Sequence, residues 1–267
     1  MSEVDAGALL AVASDAAAAA GALLRARFEA GTEVQVSSKS TPTDPVSEAD
    51  LESQRAILSL LAARRPNDGL LAEEDGAQEP GSSGLVWVVD PLDGTVNFLY
   101  GIPQWCVSVA VADAQGTLAG VVHDPVAGEI FTAVRGELPR RNGRALAYRG
   151  DRSPPLEQSL LATGFSYDAA LRAKHGQLVA ELLPRVRDIR RFGAAALDLA
   201  WTAMGRYDAF YERALKPWDS AAGLLICECV GLHAEEIDGG LLVAPNALAE
   251  QLGAIVAASA AAWEDRA

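Results

Sequence analysis

Lysine is almost missing from this chain: Lys39, Lys174 and Lys216 are the only three, against nineteen arginines. These 22 basic residues face 36 acids, which leaves a net charge of −14 and a pI near 4.6. So acidic a chain lacks the positive field that a general nucleic-acid or acidic-membrane surface needs. Histidine is equally scarce, and His123, His175 and His233 stand far apart, so there is no His–Cys cluster of the zinc type. Cysteine numbers three. Cys227 and Cys229 lie too close together in one apolar segment for an ordinary bridge, and read as reduced, buried thiols. The start, Met1-Ser2-Glu3-Val4-Asp5, lacks the basic region of a signal peptide. The uncharged late stretch from Leu252 to Trp263 is short and alanine-rich for a membrane span. A soluble, cytoplasmic protein with no nucleic-acid or membrane partner is expected.

Half of the 267 residues are hydrophobic, enough to build a core for one large domain or two small ones. Residues 5–29 read as an amphipathic helix anchored by Leu9, Val12, Leu23 and Phe28. A polar loop at 37–45 leads to a second helix that starts near Ser47 and ends before the turn cluster at 65–69. Short strands follow at 70–74 and 85–89. Three more, at 107–112, 118–123 and 129–134, are separated by turn sequences and read as antiparallel. Composition shifts to Arg, Gly and Pro near 137–155, and we expect a soft boundary there, between a part spanning 1–145 and a part spanning 146–267. In the second part strands at 160–163, 187–191, 207–211, 232–236 and 241–244 alternate with helices at 170–183, 194–204, 218–230 and 246–262, the pattern of α/β layering.

Acids gather at the strand ends. Glu73 and Glu74 close one strand. The next runs as WVVDPLDGTVNF, 87–98, and delivers Asp90 and Asp93 into one turn, followed by Gly94 and Thr95. Carboxylates converging without lysines repel one another and are driven to hold their protons, a conflict that divalent cations remove. The candidate ligands are all oxygens, the donor type that Mg²⁺ prefers. The N–H groups of Gly94 and Thr95 are suited to an anion just beyond the metals. Acids, metals and an anion cradle together point to metal-assisted phosphoryl chemistry. Plainer readings exist for each stretch. Asp-Pro and Asp-Gly are common turn formers, Ser47 with Asp50 makes a capping box, and Asp219 is an acid at a helix start.

Four segments, DPVSEAD, LLAEEDG, WVVDPLDGTVNF and KPWDSAAG, resemble in order and spacing the motifs of the inositol monophosphatase family. The resemblance runs from Lys39 through Asp44 and Asp50 to Asp219 and beyond. It implies a layered αβαβα sandwich of the sugar-phosphatase type, usually a homodimer, that hydrolyses a small phosphorylated metabolite with two to three Mg²⁺ ions. By that resemblance Glu73, Asp90 and the Leu92 carbonyl hold one metal, and Asp90, Asp93 and Asp219 a second. A third, weaker metal sits near Glu73. Thr95 and Asp50 orient the attacking water, and the backbone at Gly94 and Thr95 binds the phosphate. Gly193, Ala195 and Glu212 face the rest of the substrate, with Asp93 and Asp219 beside it. Two positions depart from the pattern: Ala72 replaces a usual Gly, and Ser47 a usual Thr.

The same resemblance implies inhibition by Li⁺ and names inositol monophosphate as first substrate. Histidinol phosphate is the runner-up, with fructose 1,6-bisphosphate and adenosine 3′,5′-bisphosphate as further family substrates. A regulatory binding protein that keeps the fold is the reading from another class. Covalent phosphatase routes lack their parts. The acids stand at i and i+3, not i and i+2, and each of the three lysines follows a residue other than Gly, so no P-loop exists.

Overall fold

The computed structural model of the chain describes residues 5–31, 36–38, 45–76, 78–146 and 154–264. Helix α1 (Ala6–Ala30) starts where the Asp5 side chain accepts from the Ala8 N–H, and ends at Gly31, whose left-handed backbone returns an N–H to Phe28. Then come strands β1 (Val36–Ser38) and β2 (Pro45–Ser47), helix α2 (Glu48–Arg64) and strands β3 (Gly69–Ala72), β4 (Gln78–Glu79) and β5 (Val86–Asp93). The five-residue helix α3 (Thr95–Leu99) leads to β6 (Cys106–Asp113), β7 (Gly116–Asp124), β8 (Glu129–Val134), β9 (Arg140–Arg141) and β10 (Arg144–Ala145). The second half holds β11 (Leu160–Thr163), α4 (Ala169–Leu182), β12 (Asp188–Arg190), α5 (Ala195–Ala203) and β13 (Ala209–Arg213). It closes with α6 (Pro217–Cys229), β14 (His233–Ile237), β15 (Gly240–Ala244) and α7 (Asn246–Glu264).

Two sheets organise these elements. The first has eight strands in the order β10-β9-β8-β7-β6-β5-β3-β4, the second five in the order β12-β11-β13-β15-β14. Helices α1 and α2 cover the outer face of the first sheet, α5 and α6 lie between the sheets, and α4 with α7 covers the second. The result is the expected αβαβα sandwich. One core cluster joins Val88, Val122 and Phe131 of the first sheet to Phe210 and Val243 of the second through Leu199, Leu225 and Ile226. At the helix crossing, a Cβ on Gly223 of α6 would lie 2.9 Å from the Ala196 carbonyl and 2.7 Å from the Leu199 Cβ. A side chain there would push apart the two helices whose N-termini build the site.

Three features go beyond the sequence reading. The polar loop at 37–45 has paired ends, since Val36–Ser38 runs antiparallel to Pro45–Ser47; no alternation in so short a segment marked them as strands. Helix α1 is long and apolar enough to span a membrane by length and composition, a feature overlooked beside the late stretch. Leu9, Ala13, Ala16, Ala17, Ala20 and Leu24 are instead buried in the core against α2 and the first sheet. Trp105 is fully buried within the chain and packs on Phe28 and Phe98 at ring distances of 5.4 and 5.2 Å. Cys106 and Cys227 are buried, Cys229 is partly so, and all three are free thiols.

Candidate active site

In a regular strand, residues three apart face opposite sides. Asp90 and Asp93 escape that rule through the pairing of β5 with β6. Asp90 stands opposite Ser108 and Asp93 opposite Cys106, so three steps on β5 match two on β6. The extra residue is a bulge, and it brings both carboxylates to the wall of one cavity. Pro91 sits within the bulge, a position that tolerates its missing N–H. The parallel register of Ala72 with Val89 then sets Glu73 beside Asp90, held by a 3.1 Å hydrogen bond from the Glu73 N–H to the Val89 carbonyl. Asp219 enters from the first turn of α6, where its carboxylate accepts from the Lys216 N–H at 2.7 Å.

Glu73, Asp90, Asp93, Glu212 and Asp219 all line a cavity of about 100 Å³, and Arg191 is the one basic side chain among its described lining residues. Burial, then the Glu73, Asp93 and Asp219 charges, holds the Asp90 carboxyl well above the usual carboxylate range. Burial lifts Asp93 to about 6 even though the Ala196 N–H favours its ionised form. Asp219 rises to about 8, from burial first and then against the Lys216 N–H, with Asp93 and Glu73 adding to the rise. Glu212 is raised well above its ordinary value by burial, then by Asp198, Asp219 and Asp93. Arg191 and Lys216 offset only part of this for Glu212 and Asp219, so the acids carry more negative charge than their basic neighbours balance. Among the described residues no three His, Cys, Asp or Glu side chains are already gathered as a ready-made ion site; the acids wall a cavity, as repelling carboxylates do. The oxygen-only donor set and its missing countercharge fit hard divalent cations of the Mg²⁺ type.

The carboxylate of Asp93 is seated on the N-terminus of α5. Its two oxygens accept from the Ala195 N–H at 3.2 Å and the Ala196 N–H at 2.7 Å, and the Cys106 thiol lies 3.6 Å from one of them. The Ala195 N–H is therefore committed to Asp93, and Ala195 also lines the cavity. Gly193 lines the same wall.

Behind the cavity, Thr95 Oγ1 lies 2.9 Å from Asp50 Oδ1 and 3.1 Å from the Leu92 carbonyl. The second Asp50 oxygen accepts from the N–H and hydroxyl of Ser47. The capping box is thus real and serves to aim Asp50 at Thr95. Gly94 makes the turn into α3 with φ at 96°, and a Cβ there would lie 2.9 Å from the Gln104 carbonyl. Only glycine suits both demands. The backbones of Gly94 and Thr95 line the cavity opening.

Glu74 turns away from the cavity. It is buried, and its backbone is gripped at both ends by Gln54, through two 3.0 Å hydrogen bonds. Ser53 donates to the Pro91 carbonyl at 2.7 Å. Ser53 and Gln54 went unread in the sequence, yet a signal was there: Asp50, Ser53, Gln54, Ile57 and Leu61 form one buried helical stripe whose first three members are polar. Phe165 and Tyr167 on the cavity wall carried no such signal. Lys39 and Asp44 lie outside the described residues.

Comparison with known proteins finds relatives over most of the chain. A model of the inositol monophosphatase family matches residues 5–266. An inositol-1-monophosphatase of Mycobacterium bovis is 41% identical over 238 residues, which cover 84% of this chain and 82% of the relative. The Nus factor SuhB of Escherichia coli is 38% identical over 233 residues, covering 87% of this chain and 86% of that protein. Among solved structures, the extragenic suppressor protein suhB of Bartonella henselae superposes with a TM-score of 0.87 at 34% identity, covering 93% of this chain and 98% of that one.

Proposed function

The chain belongs to the inositol monophosphatase family, and on that premise we propose that it hydrolyses a small phosphate monoester, inositol monophosphate first, with two to three Mg²⁺ ions. The observation that carries this reading is the β5 bulge, which lines Asp90 and Asp93 up with Glu73 and Asp219 on one cavity. In the proposal Glu73, Asp90, the Leu92 carbonyl, Asp93 and Asp219 hold the cations. When bound, these supply Lewis-acid stabilisation of the phosphoryl charge. The Gly94 and Thr95 N–H groups orient the phosphate. Thr95 takes a proton from the attacking water as it passes its own hydroxyl proton to Asp50, 2.9 Å away. Water adds to phosphorus in line, the ester P–O bond breaks, and the alcohol leaves with a proton from solvent. The free thiols are in keeping with a reducing cytoplasm as its setting.

Inositol is favoured as the alcohol because Glu212 offers a carboxyl acceptor inside the cavity, charged once bound cations offset the burial and the Asp198, Asp219 and Asp93 repulsion that raise it. A hydroxyl bonded to a charged group gains about 1.5–3 kcal/mol. Glu212→Ala is therefore expected to raise KM for inositol 1-phosphate about tenfold or more, and to leave an aryl phosphate unaffected. The test compares kcat/KM for inositol 1-phosphate, histidinol phosphate, fructose 1,6-bisphosphate, adenosine 3′,5′-bisphosphate and an aryl phosphate, with and without Mg²⁺ and Li⁺. Turnover independent of Mg²⁺ rejects the mechanism; a preference for histidinol phosphate transfers the assignment to the runner-up.

A homodimer belongs to the same proposal. With Trp105 internal, the support is the exposed Tyr100 and Ile102, held near the exposed Phe192 by Asn97, which donates to both the Gln104 and Phe192 carbonyls. Light scattering at micromolar concentration is expected to give twice 27.9 kDa; a single-chain mass rejects it. The Nus factor name of the Escherichia coli relative favours one second reading, a regulatory role beside catalysis. A catalytically dead variant that keeps such a role separates the two.

A further inference from the structure

Glu212 is positioned by a glycine that no part of the metal chemistry explains. A Cβ built on Gly164 would stand 2.1 and 2.2 Å from the two Glu212 carboxylate oxygens and 2.2 Å from its carboxyl carbon, and these are its three nearest atoms. Gly164 is absent from the positive-φ glycines, so its backbone suits any L-residue. The nearest obstacle to a side chain at 164 is the Glu212 carboxylate. We propose that Gly164 is the specificity-determining seat of Glu212: its bare backbone is the surface on which the carboxylate rests to receive the hydroxyls of a polyol phosphate. This rests on the reading of Glu212 given above.

Neither partner of this contact can retreat by moving its strand. Thr163 pairs with Tyr211 in the parallel register of β11 and β13, and the Thr163 hydroxyl donates to the Tyr211 carbonyl at 2.6 Å. That hydroxyl has one proton, so at its 3.0 Å contact with His175 Nε2 it accepts. His175 is therefore the Nε2–H tautomer, in keeping with burial and then Arg213 lowering its pKa to about 4. On the other side Glu212 pairs with Leu241 of β15. There a Cβ on Gly240 would stand 2.8 Å from the Glu212 carbonyl. Residues 211–212 are held on both flanks, by β11 and by β15, Gly164 follows directly on the paired Thr163, and the part with the most freedom to move is the Glu212 side chain. A methyl at 164 must therefore displace the carboxylate and leave the fold in place. Gly164 and Thr163 are positioning residues in this scheme; Glu212 is the group that meets substrate.

The test is a double-mutant cycle of Gly164→Ala and Glu212→Ala, read on inositol 1-phosphate and on an aryl phosphate. Gly164→Ala is expected to raise KM for inositol 1-phosphate about tenfold, with kcat and the aryl phosphate within about twofold of wild type. In the double variant the loss is expected to equal that of Glu212→Ala alone, because the methyl has no carboxylate left to displace. Thr163→Val is expected to show the same KM split in weaker form, and Thr163→Ser to restore it. Additive effects in the cycle overturn the proposal. So does an equal loss on both substrates, or an unchanged KM in Gly164→Ala when Glu212→Ala is impaired. A Glu212→Ala variant that discriminates no better or worse than wild type removes the underlying reading of Glu212 instead, and the seat with it. Should Gly164→Ala unfold, the melting temperature decides: adding Glu212→Ala restores it if the carboxylate is the obstacle, and leaves it low if the proposal is wrong.

Discussion

Asp90→Asn is expected to lower Mg²⁺-dependent kcat/KM by roughly 10³-fold, more than a change at any acid that serves one metal, with the fold retained. Asp90 stands between Glu73 on one strand and Asp93 beyond the bulge, the position from which, in the proposed mechanism, one carboxylate would serve two cations. One Asp90 oxygen also accepts from the Leu92 N–H at 3.0 Å, and an amide oxygen can keep that bond. What Asn loses is charge. The same substitution has an opposite effect on the metal-free protein. Burial and neighbouring acids raise the folded Asp90 pKa well above its ordinary 3.8. A raised carboxyl is protonated in both states below about 3.8, and there costs nothing. As pH rises toward the folded value, the unfolded chain releases its proton first and stability falls. Asn has no proton to release. In chelator at pH 7.5, Asp90→Asn is therefore expected to melt higher than wild type, and in Mg²⁺ to gain less. Circular dichroism melts with phosphate-release kinetics check both arms. Near-wild-type turnover sinks the shared-ligand assignment, and a lower melt in chelator sinks the electrostatic one.

How far the sequence reached depends on the scale of the signal. Long periodic elements were legible: the helix read at 5–29 is Ala6–Ala30, and the strand read at 129–134 is Glu129–Val134. The acids at strand ends were visible because few residue types other than Asp and Glu end an apolar run so abruptly. Their common face was not visible. Asp90 and Asp93 have the wrong parity for one side of a strand, and the bulge that corrects it is a property of pairing with Ser108 and Cys106, residues far along the chain. Hydrogen bonds across the fold were hidden for the same reason. Nothing local announces that Asp93 rests on the Ala195 and Ala196 N–H groups, or that Gln54 holds Glu74. Nothing local marks Gly164 as the residue on which Glu212 lies. Conversely, the plain reading of Ser47 with Asp50 as a helix cap and the functional one proved compatible. The cap bonds occupy one oxygen of Asp50 and leave the other aimed at Thr95.

That division of Asp50 sets the second large effect. Thr95→Ala is expected to lower kcat about 10²–10³-fold with little change in KM, the loss typical of a proton-transfer group. The Thr95 hydroxyl has one proton and two neighbouring acceptors, Asp50 Oδ1 at 2.9 Å and the Leu92 carbonyl at 3.1 Å. When the proton points to Asp50, a lone pair is free to take one from water, and the Leu92 carbonyl is released for other use. Asp50 stays fixed meanwhile, because Ser47 satisfies its second oxygen from both backbone and side chain. Thr95→Ser keeps the hydroxyl and is expected to retain most of the rate. Thr95→Val keeps the shape, removes the donor and leaves the fully buried Asp50 short of one partner, so it is expected to lose rate and to melt lower by about 1–3 kcal/mol. Asp50→Ala added to Thr95→Ala is expected to cost little more than either alone, since the two act as one unit. Single-turnover kinetics on the five variants, Asp50→Ala alone included, decides the matter. Equal rates for Ser and Ala at position 95, or losses that multiply in the double variant, would place Thr95 in the packing of the turn and leave the water to be oriented by another group.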